Sequence, residues 1–362
     1  MKILFLSNTP GRSYSGPTYS IPAQVKAQSR YDDVIWFNCK VSEQTAWKAY
    51  PFYHDITEVS DKHLKSIFTR FGKPDLIIVE QFYNHLRGKY LNEICKSGVP
   101  YLIIPRGEFT KQGQKRSRLK KKAANLIIGK KITKRAKTVW YLTQQEKTDS
   151  GKSWNANTLV IPNGIDIPSK SVSYGQNEII RVLNIGRLEP YQKGLDKLIE
   201  AVYALRDSLR GKCRFDLYGA DVDGAAGALR ESIEKKGISD LIEVHGSVYG
   251  AEKESVLLSS DVFIMPSRFE GHPMALIEAM SYGLPCLVSS GSNMKQEVEE
   301  AKAGWTFDSD MIELKNAIEN CIKERYNYKE YGENAVKLSS KYNWTEIAKR
   351  THDLLSKLTM EG

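Results

Sequence analysis

Short, continuously apolar segments alternate with longer amphipathic segments along most of the chain, and this alternation occurs in two series. A segment that is apolar at nearly every position, such as DLIIVE at 75–80, is typical of a parallel strand that is covered on both faces. The intervening segments, such as DKLIEAVYALRDSL at 196–209, have helical spacing. This rhythm of strand, helix and strand predicts an α/β fold with two parallel-sheet domains.

The two series define the predicted domains. The first series of strands comprises residues 2–7, 33–37, 75–80, 101–105, 138–142 and 158–162, and the second comprises 179–186, 213–219, 241–246, 261–266 and 285–289. The polar segment 168–178 holds Pro and Gly and predicts the break between them. We therefore predict domains at 1–167 and 177–340. A final amphipathic helix at 343–359 has no strand after it, so it must pack across existing structure.

The termini and the cysteines indicate the cellular compartment. The N-terminal apolar run ends at Leu6 without a cleavage site, which is unlike a signal peptide, and no apolar run is long enough to span a membrane. The five cysteines are scattered and include no C-x-x-C pair, which argues against a zinc site or a disulfide framework. These features predict a cytoplasmic or peripheral membrane protein.

The basic charge is concentrated in one segment. The formal net charge is +10, and thirteen of the 53 Lys and Arg residues lie between residues 106 and 137 with a single acidic residue. Leu119, Ala123, Leu126 and Ile127 have helical spacing there. A basic amphipathic helix favours an anionic membrane surface or an anionic ligand, although a solvated helix face is the plainer interpretation. Aromatic residues for base stacking are absent from the run, so nucleic acid is not an expected partner.

Two loops that follow predicted strands have the composition of phosphate sites. Gly11 and Gly16 lie in the first loop, where glycine lets backbone amides approach a phosphate, but the spacing is not that of a dinucleotide fingerprint and a plain turn is equally compatible. In the second domain, Arg187 and Lys193 bracket a loop before a helix that begins near Gly194. Two cations beside a helix N-terminus suit a diphosphate, whereas the alternative is two solvated surface bases.

The segment 269–286 contains two glutamates, Glu270 and Glu278, on either side of a predicted helix start at Pro273. Helical spacing places Glu278 opposite the apolar face of that helix, which allows a solvent-facing role. Glu270 precedes the helix, where a carboxylate either caps the N-terminus or contacts a ligand.

Two short acidic patterns could suggest a metal site. Asp221-Val222-Asp223 and Asp308-Ser309-Asp310 match the D-x-D pattern by which some nucleotide-sugar enzymes hold a cation. Neither pattern has a further acidic or histidine cluster nearby, so we predict no metal site.

Taken in order, these loops resemble those of the family 4 glycosyltransferases, which have the GT-B fold. GRLEPYQKG at 186–194 resembles the phosphate-binding loop of that family, and EGHPMALIE at 270–278 matches its paired-glutamate motif. IPNGID at 161–166 is similar to the sequence that closes the first domain, and the basic segment from residue 104 is similar to the acceptor side of members that build bacterial surface polysaccharides. The resemblance implies two Rossmann-like domains that face a central cleft, with the C-terminal helix crossing back to the N-terminal domain.

The resemblance also implies residue roles. Arg187 and Lys193 would hold the donor diphosphate, Glu270 would bind the transferred sugar and Glu278 the ribose. The remaining expected site residues are Gly271, His272, Pro273 and Met274 along the donor sugar, Gly16 at the diphosphate, and Arg106 and Gly107 on the acceptor side, where many relatives have a histidine in place of Arg106. His272-Pro273 is the place where we expect donor preference to be set.

The expected function is therefore transfer of a hexose from a UDP- or GDP-sugar, with retention of configuration and without metal or cofactor. The expected acceptor is a glycan on a polyprenyl carrier, at the inner face of the cytoplasmic membrane, which the basic segment 111–137 would contact. Two alternatives share the motifs: a GT-B epimerase or hydrolase of sugar nucleotides, and a non-catalytic, membrane-associated subunit that binds nucleotides.

Overall fold

The computed structural model describes residues 1–12, 15–61, 63–85, 90–115, 118–308 and 310–360, and within these ranges the side chains of residues 112, 127 and 128 are not described. The chain divides into two compact units, Met1–Gly164 together with Trp344–Gly362, and Ile165–Asn343. Each unit is built on one parallel sheet, as the alternation of apolar and amphipathic segments predicts.

The first unit has a seven-stranded sheet in the order β3-β2-β1-β4-β5-β6-β7. Its strands are β1 Lys2–Ser7, β2 Asp33–Asn38, β3 Tyr53–Asp55, β4 Leu76–Glu80, β5 Tyr101–Ile104, β6 Thr138–Tyr141 and β7 Thr158–Val160. Its first helices are α1 Gly16–Gln28, α2 Leu64–Phe71, α3 Tyr90–Ile94, α4 Lys111–Lys115, α5 Arg118–Ala124, α6 Lys130–Arg135 and α7 Gln144–Ser150, with a π-helical turn at Asn125–Gly129. Residues along β1 alternate between cores on the two faces, with Leu4 on one face and Phe5 on the other.

The second unit has a six-stranded sheet in the order β10-β9-β8-β11-β12-β13. Its strands are β8 Ile180–Ile185, β9 Cys213–Tyr218, β10 Ile242–His245, β11 Val262–Met265, β12 Cys286–Ser289 and β13 Gly304–Phe307. Its helices are α8 Pro190–Lys193, α9 Leu195–Leu209, α10 Ala225–Lys235, α11 Gly250–Leu258, α12 Met274–Ser281, α13 Lys295–Ala301, α14 Met311–Lys323 and α15 Tyr328–Ser340. This strand order is that of the Rossmann fold.

The last helix, α16 Trp344–Met360, packs in the first unit against α1. Ile347 and Leu355 of α16 share a core with Ile21 and Val25 of α1. The prediction that the final helix crosses back to the N-terminal domain is confirmed. No helix in the described part of the chain is both long enough and apolar enough to span a membrane.

The boundary between the units lies earlier than the predicted break at 168–178. The chain leaves the first unit between Gly164 and Ile165, so 165–167 belong to the second unit rather than to the predicted domain 1–167. The polar segment is not a free linker, because Val172 is buried in the second unit and the hydroxyl of Tyr174 donates to the carbonyl oxygen of Gly283 at 2.9 Å.

Candidate functional site

The second sheet reverses its winding direction between β8 and β11, the two central strands of its order. The loops at the carboxyl ends of these strands diverge, and open parallel sheets bind ligands in the crevice between such loops. The loop after β8 carries Arg187 and Lys193, and the loop after β11 carries Glu270. The topology therefore brings together three residues that the sequence predicts to act at one site.

The loop after β8 is held against the end of β11 by a close backbone approach at Gly194. Gly194 has φ +66°, and a Cβ atom added there would lie 2.0 Å from the carbonyl oxygen of Pro266. Only glycine fits this position, both in space and in conformation. The preceding turn α8 is fixed by Glu189, whose carboxylate accepts from the amide of Gln192 at 2.6 Å. Lys193 thus projects from a rigid turn beside the loop after β11.

Lys193 and Glu270 form an ion pair at the centre of this region. The distance from Lys193 Nζ to Glu270 Oε1 is 2.7 Å, and only 15% and 8% of the two side chains are exposed. Ser267 Oγ donates to the same carboxylate oxygen at 2.6 Å, an interaction that the sequence analysis did not predict. Glu270 is therefore not a helix cap, which was one of its two predicted roles, because its carboxylate is committed to Lys193 and Ser267.

Arg187 joins the same region through Gln192. The Arg187 guanidinium donates to Gln192 Oε1 at 3.0 Å, and Gln192 Nε2 donates to the carbonyl oxygen of Phe269 at 3.4 Å. A bidentate pair between Arg268 and Asp196, at 2.6 and 2.8 Å, ties the loop after β11 to helix α9. These contacts fix the two cations, Arg187 and Lys193, beside the loop that holds Glu270.

The residues between the two glutamates form the start of α12. Pro273 is the N-cap, and its carbonyl oxygen accepts from the amides of Leu276 and Ile277. Gly271 lies in the preceding turn. The ring of His272 contacts Met274 Sδ at 3.2 Å and lies 5.8 Å from the ring of Tyr342. The expected roles of these residues in donor binding remain predictions.

Glu278 lies in the second turn of α12, and its carboxylate is paired with Lys253 of α11. Its side chain is 32% exposed, so it is neither a core residue nor a fully solvated one. The cation that Glu278 contacts is on a neighbouring helix, and the expected role of Glu278 in binding ribose remains a prediction. Lys253 is a residue that the sequence analysis missed.

In the first unit, the guanidinium of Arg106 is buried among four partners. Arg106 Nε donates to Glu80 Oε2 at 2.7 Å, and the other nitrogens donate to Gln24 at 2.7 Å, Ser20 at 3.1 Å and Asn163 at 3.2 Å. Only 5% of the Arg106 side chain and none of the Glu80 side chain is exposed. The guanidinium is thus used to join α1, β4 and the segment after β7, and its predicted acceptor-side role remains a prediction.

Gly107 and Gly16 occupy backbone positions at the carboxyl edge of the first sheet. Arg106 and Gly107 both have positive φ, +49° and +84°, and the Gly107 amide donates to the buried carboxylate of Glu146. Gly16 is the first residue of α1, and a methyl group added there would meet no described atom within 4 Å. That open space is compatible with the close ligand approach expected of Gly16, which remains a prediction.

The basic segment forms the short helices α4, α5 and α6 around the π-helical turn. Leu119 of α5 and Leu126 of the π-helical turn are 83% and 88% exposed, and Arg118, Lys120 and Lys122 of α5 are exposed as well. Lys121 lies over the ring of Tyr83 at 4.5 Å. Residues 116 and 117 and the side chain of Ile127 lie outside the described part of the segment. The apolar stripe predicted from Leu119, Ala123 and Leu126 therefore faces solvent rather than a core.

Three of the four aspartates in the two D-x-D patterns have local structural partners. Asp221 accepts from the amide of Ala226 at 3.0 Å, Asp310 caps α14 through the amide of Ile312 at 2.6 Å, and Asp308 pairs with Lys295 at 2.9 Å. Ser309, in the second pattern, lies outside the described residues.

A different group of side chains, Asp216, Glu243 and His245, brings potential metal ligands within 4.8 Å of one another. Arg214 already pairs with both carboxylates, at 2.8 Å for Asp216. Burial works to raise the pKa of Asp216, but the hydrogen bonds from Arg214 and His245 outweigh it and leave that pKa below its usual value. A cation would have to displace the guanidinium, so the group is better described as an ion-pair network.

The sequence is similar to those of known glycosyltransferases, mainly in the second unit. A family model described as glycosyl transferases group 1 matches residues 168–338, which is most of the second unit. The chain is 26% identical over 193 residues to an uncharacterized glycosyltransferase of Methanocaldococcus jannaschii, covering 51% of this chain and 47% of that protein. It is 29% identical over 180 residues to the UDP-Gal:alpha-D-GlcNAc-diphosphoundecaprenol alpha-1,3-galactosyltransferase of Escherichia coli, covering 45% of this chain and 43% of that protein. The matches thus span less than half the length of these curated relatives.

The likeness to solved structures extends over the whole chain. HepE of Anabaena, in complex with UDP, superposes with a TM-score of 0.79 over 99% of this chain and 100% of that one, at 18% sequence identity. At this identity the likeness shows the fold, and the fold of two Rossmann-like units is GT-B.

Proposed function

We propose that this chain, whose residues 168–338 match the model of the glycosyl transferases group 1, transfers a hexose-type sugar from a UDP- or GDP-sugar to a glycan acceptor. The observation that carries the proposal is the set of Arg187, Lys193 and Glu270 at the switch point of the second sheet. Two cations and a carboxylate in that place match the charges of a donor diphosphate and the hydroxyls of its sugar.

The cations act on the leaving group. When the bond between the sugar and the diphosphate breaks, negative charge builds on the departing nucleoside diphosphate, and preorganised cations stabilise that charge. The guanidinium of Arg187 is held by Gln192, and the backbone of Lys193 is held by the turn that ends at Gly194, so both cations start beside the place where that charge builds. They supply the charge that a divalent cation supplies in other transferases, and the reaction therefore proceeds without metal or cofactor. The family resemblance adds retention of the anomeric configuration.

The ion pair between Lys193 and Glu270 would couple binding of the donor diphosphate to binding of the donor sugar. A diphosphate that draws the Lys193 ammonium toward itself frees Glu270 Oε1, which Ser267 continues to orient at 2.6 Å. The freed carboxylate then accepts a hydrogen bond from a sugar hydroxyl. In this way the diphosphate and the sugar would be bound together, and a free hexose would bind poorly because Lys193 competes for the carboxylate.

Substitution of the two partners tests the site. Lys193→Ala and Glu270→Ala should each lower the transfer rate by about 10²–10³-fold, the usual effect of removing one electrostatic stabiliser. Lys212→Ala and Glu231→Ala remove the same charges from exposed positions of the same unit and should leave the rate unchanged. Thermal unfolding verifies that the variants are folded. Full activity of either site variant refutes the assignment, and release of free sugar without an acceptor would instead indicate a hydrolase or epimerase.

We further propose that the acceptor glycan is carried on a lipid and that the protein is peripheral at the cytoplasmic face of the membrane. The support is the basic segment 111–137, in which Leu119 and Leu126 are 83% and 88% exposed among lysines and arginines. Exposed leucines flanked by basic residues suit insertion at an anionic surface, where each Lys or Arg contributes about 1 kcal/mol.

Vesicle sedimentation tests this membrane contact. Binding should rise with the fraction of anionic lipid, fall with salt, and be lost when Lys120 and Lys122 are both changed to Glu. A matched control changes Lys212 and Lys235, which are exposed and lie in the second unit, to Glu. Equal binding by both double variants, or no binding by the unmodified protein, would contradict the proposed membrane contact without touching the donor site.

A further inference from the structure

We propose that Asn293 is a positioning residue for Glu270: its side-chain amide fixes the carbonyl group of Glu270 and so directs the carboxylate toward the hydroxyls of the donor sugar. The inference rests on the proposed function, because it takes Glu270 as the residue that binds the sugar. It adds a residue from the loop after β12, residues 290–294, which lies outside the sequence motifs that predict the site.

The loop after β12 lies directly against the loop after β11, which carries Glu270. A Cβ atom added at Gly291 would lie 2.2 Å from the carbonyl oxygen of Ser267, so only glycine allows this approach of the two backbones. Ser289, the last residue of β12, donates through its buried Oγ to the same carbonyl oxygen at 2.6 Å. The base of the loop after β11 is thus fixed by the neighbouring strand before the chain reaches Glu270.

Asn293 makes the next contact between these two loops. Its Nδ2 donates to the carbonyl oxygen of Glu270, and both residues lie in the second unit. The residue after Glu270 is Gly271, where an added Cβ atom would meet no described atom within 4 Å. A glycine in open space allows the peptide group that precedes it to rotate. The hydrogen bond from Asn293 fixes that peptide plane, and with it the direction in which the Glu270 side chain leaves the backbone.

The backbone conformation of Asn293 also points to a task for its side chain. Asn293 has φ +62° and ψ 19°, the left-handed conformation that glycine adopts at the least cost. A glycine at this position would suit the turn, but it would remove the donor to the Glu270 carbonyl oxygen. Left-handed residues with a side chain are concentrated at functional sites, where the surrounding structure holds them in place.

The carboxylate of Glu270 is oriented at its far end as well. Its Oε1 is bound by Lys193 and Ser267, whereas Oε2 has no hydrogen-bond partner among the residues that the structure describes. Oε2 is therefore available to a sugar hydroxyl. A shift of about 1 Å is enough to lose such a contact, because binding groups must be held to within about 0.5 Å of their productive positions.

Calorimetric binding tests the proposal, with UDP compared with UDP-glucose and UDP-galactose, and GDP compared with GDP-mannose. The informative quantity is the affinity for the sugar nucleotide divided by the affinity for its diphosphate, because this ratio isolates the contribution of the sugar. Asn293→Gly should lower the ratio about tenfold, the scale of one lost hydrogen bond to a charged group, and leave the affinity for the diphosphate nearly unchanged. Glu270→Ala should lower the ratio at least as much.

Two further variants separate positioning from a general effect on the fold. Lys302→Gly replaces another left-handed residue of the second unit, with φ +52° and an exposed side chain, and should leave the ratio unchanged. Asn293→Gly combined with Glu270→Ala should have the ratio of Glu270→Ala alone, because Asn293 acts through Glu270. Melting temperatures verify that both glycine variants are folded.

Distinct outcomes would overturn the proposal. A ratio that is unchanged in Asn293→Gly but lowered in Glu270→Ala would remove this inference alone. Equal losses of affinity for the diphosphate and the sugar nucleotide would show a general effect on the site, and a further loss in the double variant would show that Asn293 acts independently of Glu270. If the unmodified protein binds none of these nucleotides, or if Glu270→Ala leaves the ratio unchanged, the proposed function fails together with this inference.

Discussion

Arg106 and Glu80 form a buried ion pair, and removing one partner should strongly destabilise the first unit. In Arg106→Met the carboxylate of Glu80 keeps 0% exposure but loses the guanidinium, and its other oxygen, Oε1, already has no partner among the described residues. Breaking a buried pair in this way costs about 3–5 kcal/mol, because a charge is left in a medium that cannot solvate it. With a urea m-value of about 2 kcal/mol/M, the unfolding midpoint should fall by about 2 M.

Tryptophan fluorescence is a suitable probe for this experiment. All the tryptophans except Trp305 lie in the first unit, so a urea titration reports mainly on that unit. Adding Glu80→Gln to Arg106→Met removes the uncompensated charge and should restore part of the lost stability. Arg70→Met breaks a pair with Glu58 that is largely exposed, with a distance of 3.4 Å, and should shift the midpoint little.

Either of two results would refute this prediction. One is a midpoint of Arg106→Met as close to that of the unmodified protein as the midpoint of Arg70→Met. The other is a double variant that is no more stable than Arg106→Met alone, which would mean that the buried charge of Glu80 is not the source of the cost.

Two further predictions concern backbone space and pH. Gly194→Ala places a methyl group 2.0 Å from the Pro266 carbonyl oxygen and should lower both the melting temperature and the transfer rate. The control Gly227→Ala lies inside α10, where the new atom has no neighbour within 4 Å, and it should raise the melting temperature slightly. Equal shifts in the melting temperatures of the two variants would contradict the close approach at Gly194. Burial lowers the pKa of His85 from 6.5 to about 4, so on acidification the unfolded state binds the proton before the folded state does. The free energy of unfolding should therefore fall by roughly 3 kcal/mol as the pH drops from 6.5 to about 4. His85→Gln should remove that part of the pH dependence, and an unchanged urea-unfolding profile between these pH values would show that His85 does not cause it.

The parts of the fold that depend on continuous apolar segments could be predicted from the sequence, and all the predicted strands are present within a residue or two. Two strands were missed, and both lie at sheet edges. β3 has only three residues, Tyr53–Asp55, and β13, Gly304–Phe307, alternates buried with half-buried positions. An edge strand has a neighbour on one side only, so its sequence carries a weaker signal than that of a central strand.

The candidate site also contains features that the sequence predicts and features that it does not. Arg187, Lys193 and Glu270 could be placed together because they follow strands, and strand ends converge at the switch point. The partner of Glu278 could not be predicted, because Lys253 lies on a helix surface and nothing in its local sequence indicates which neighbouring helix it faces. The burial of Arg106 likewise depends on side chains from α1, β4 and the segment after β7, whose meeting is a property of the tertiary structure.

The return of α16 to the first unit has a consequence for biosynthesis. Residues 165–343 must be translated before Ile347 and Leu355 exist, yet these residues complete the core against Ile21 and Val25. At about 5–20 residues per second, translation of the second unit leaves the rest of the first unit without α16 for about 10–40 s on the ribosome. The second unit is contiguous in sequence and can fold as soon as it emerges from the ribosome. The first unit, although its synthesis begins first, therefore completes its folding last. During that interval the nascent first unit is the segment most in need of chaperone protection.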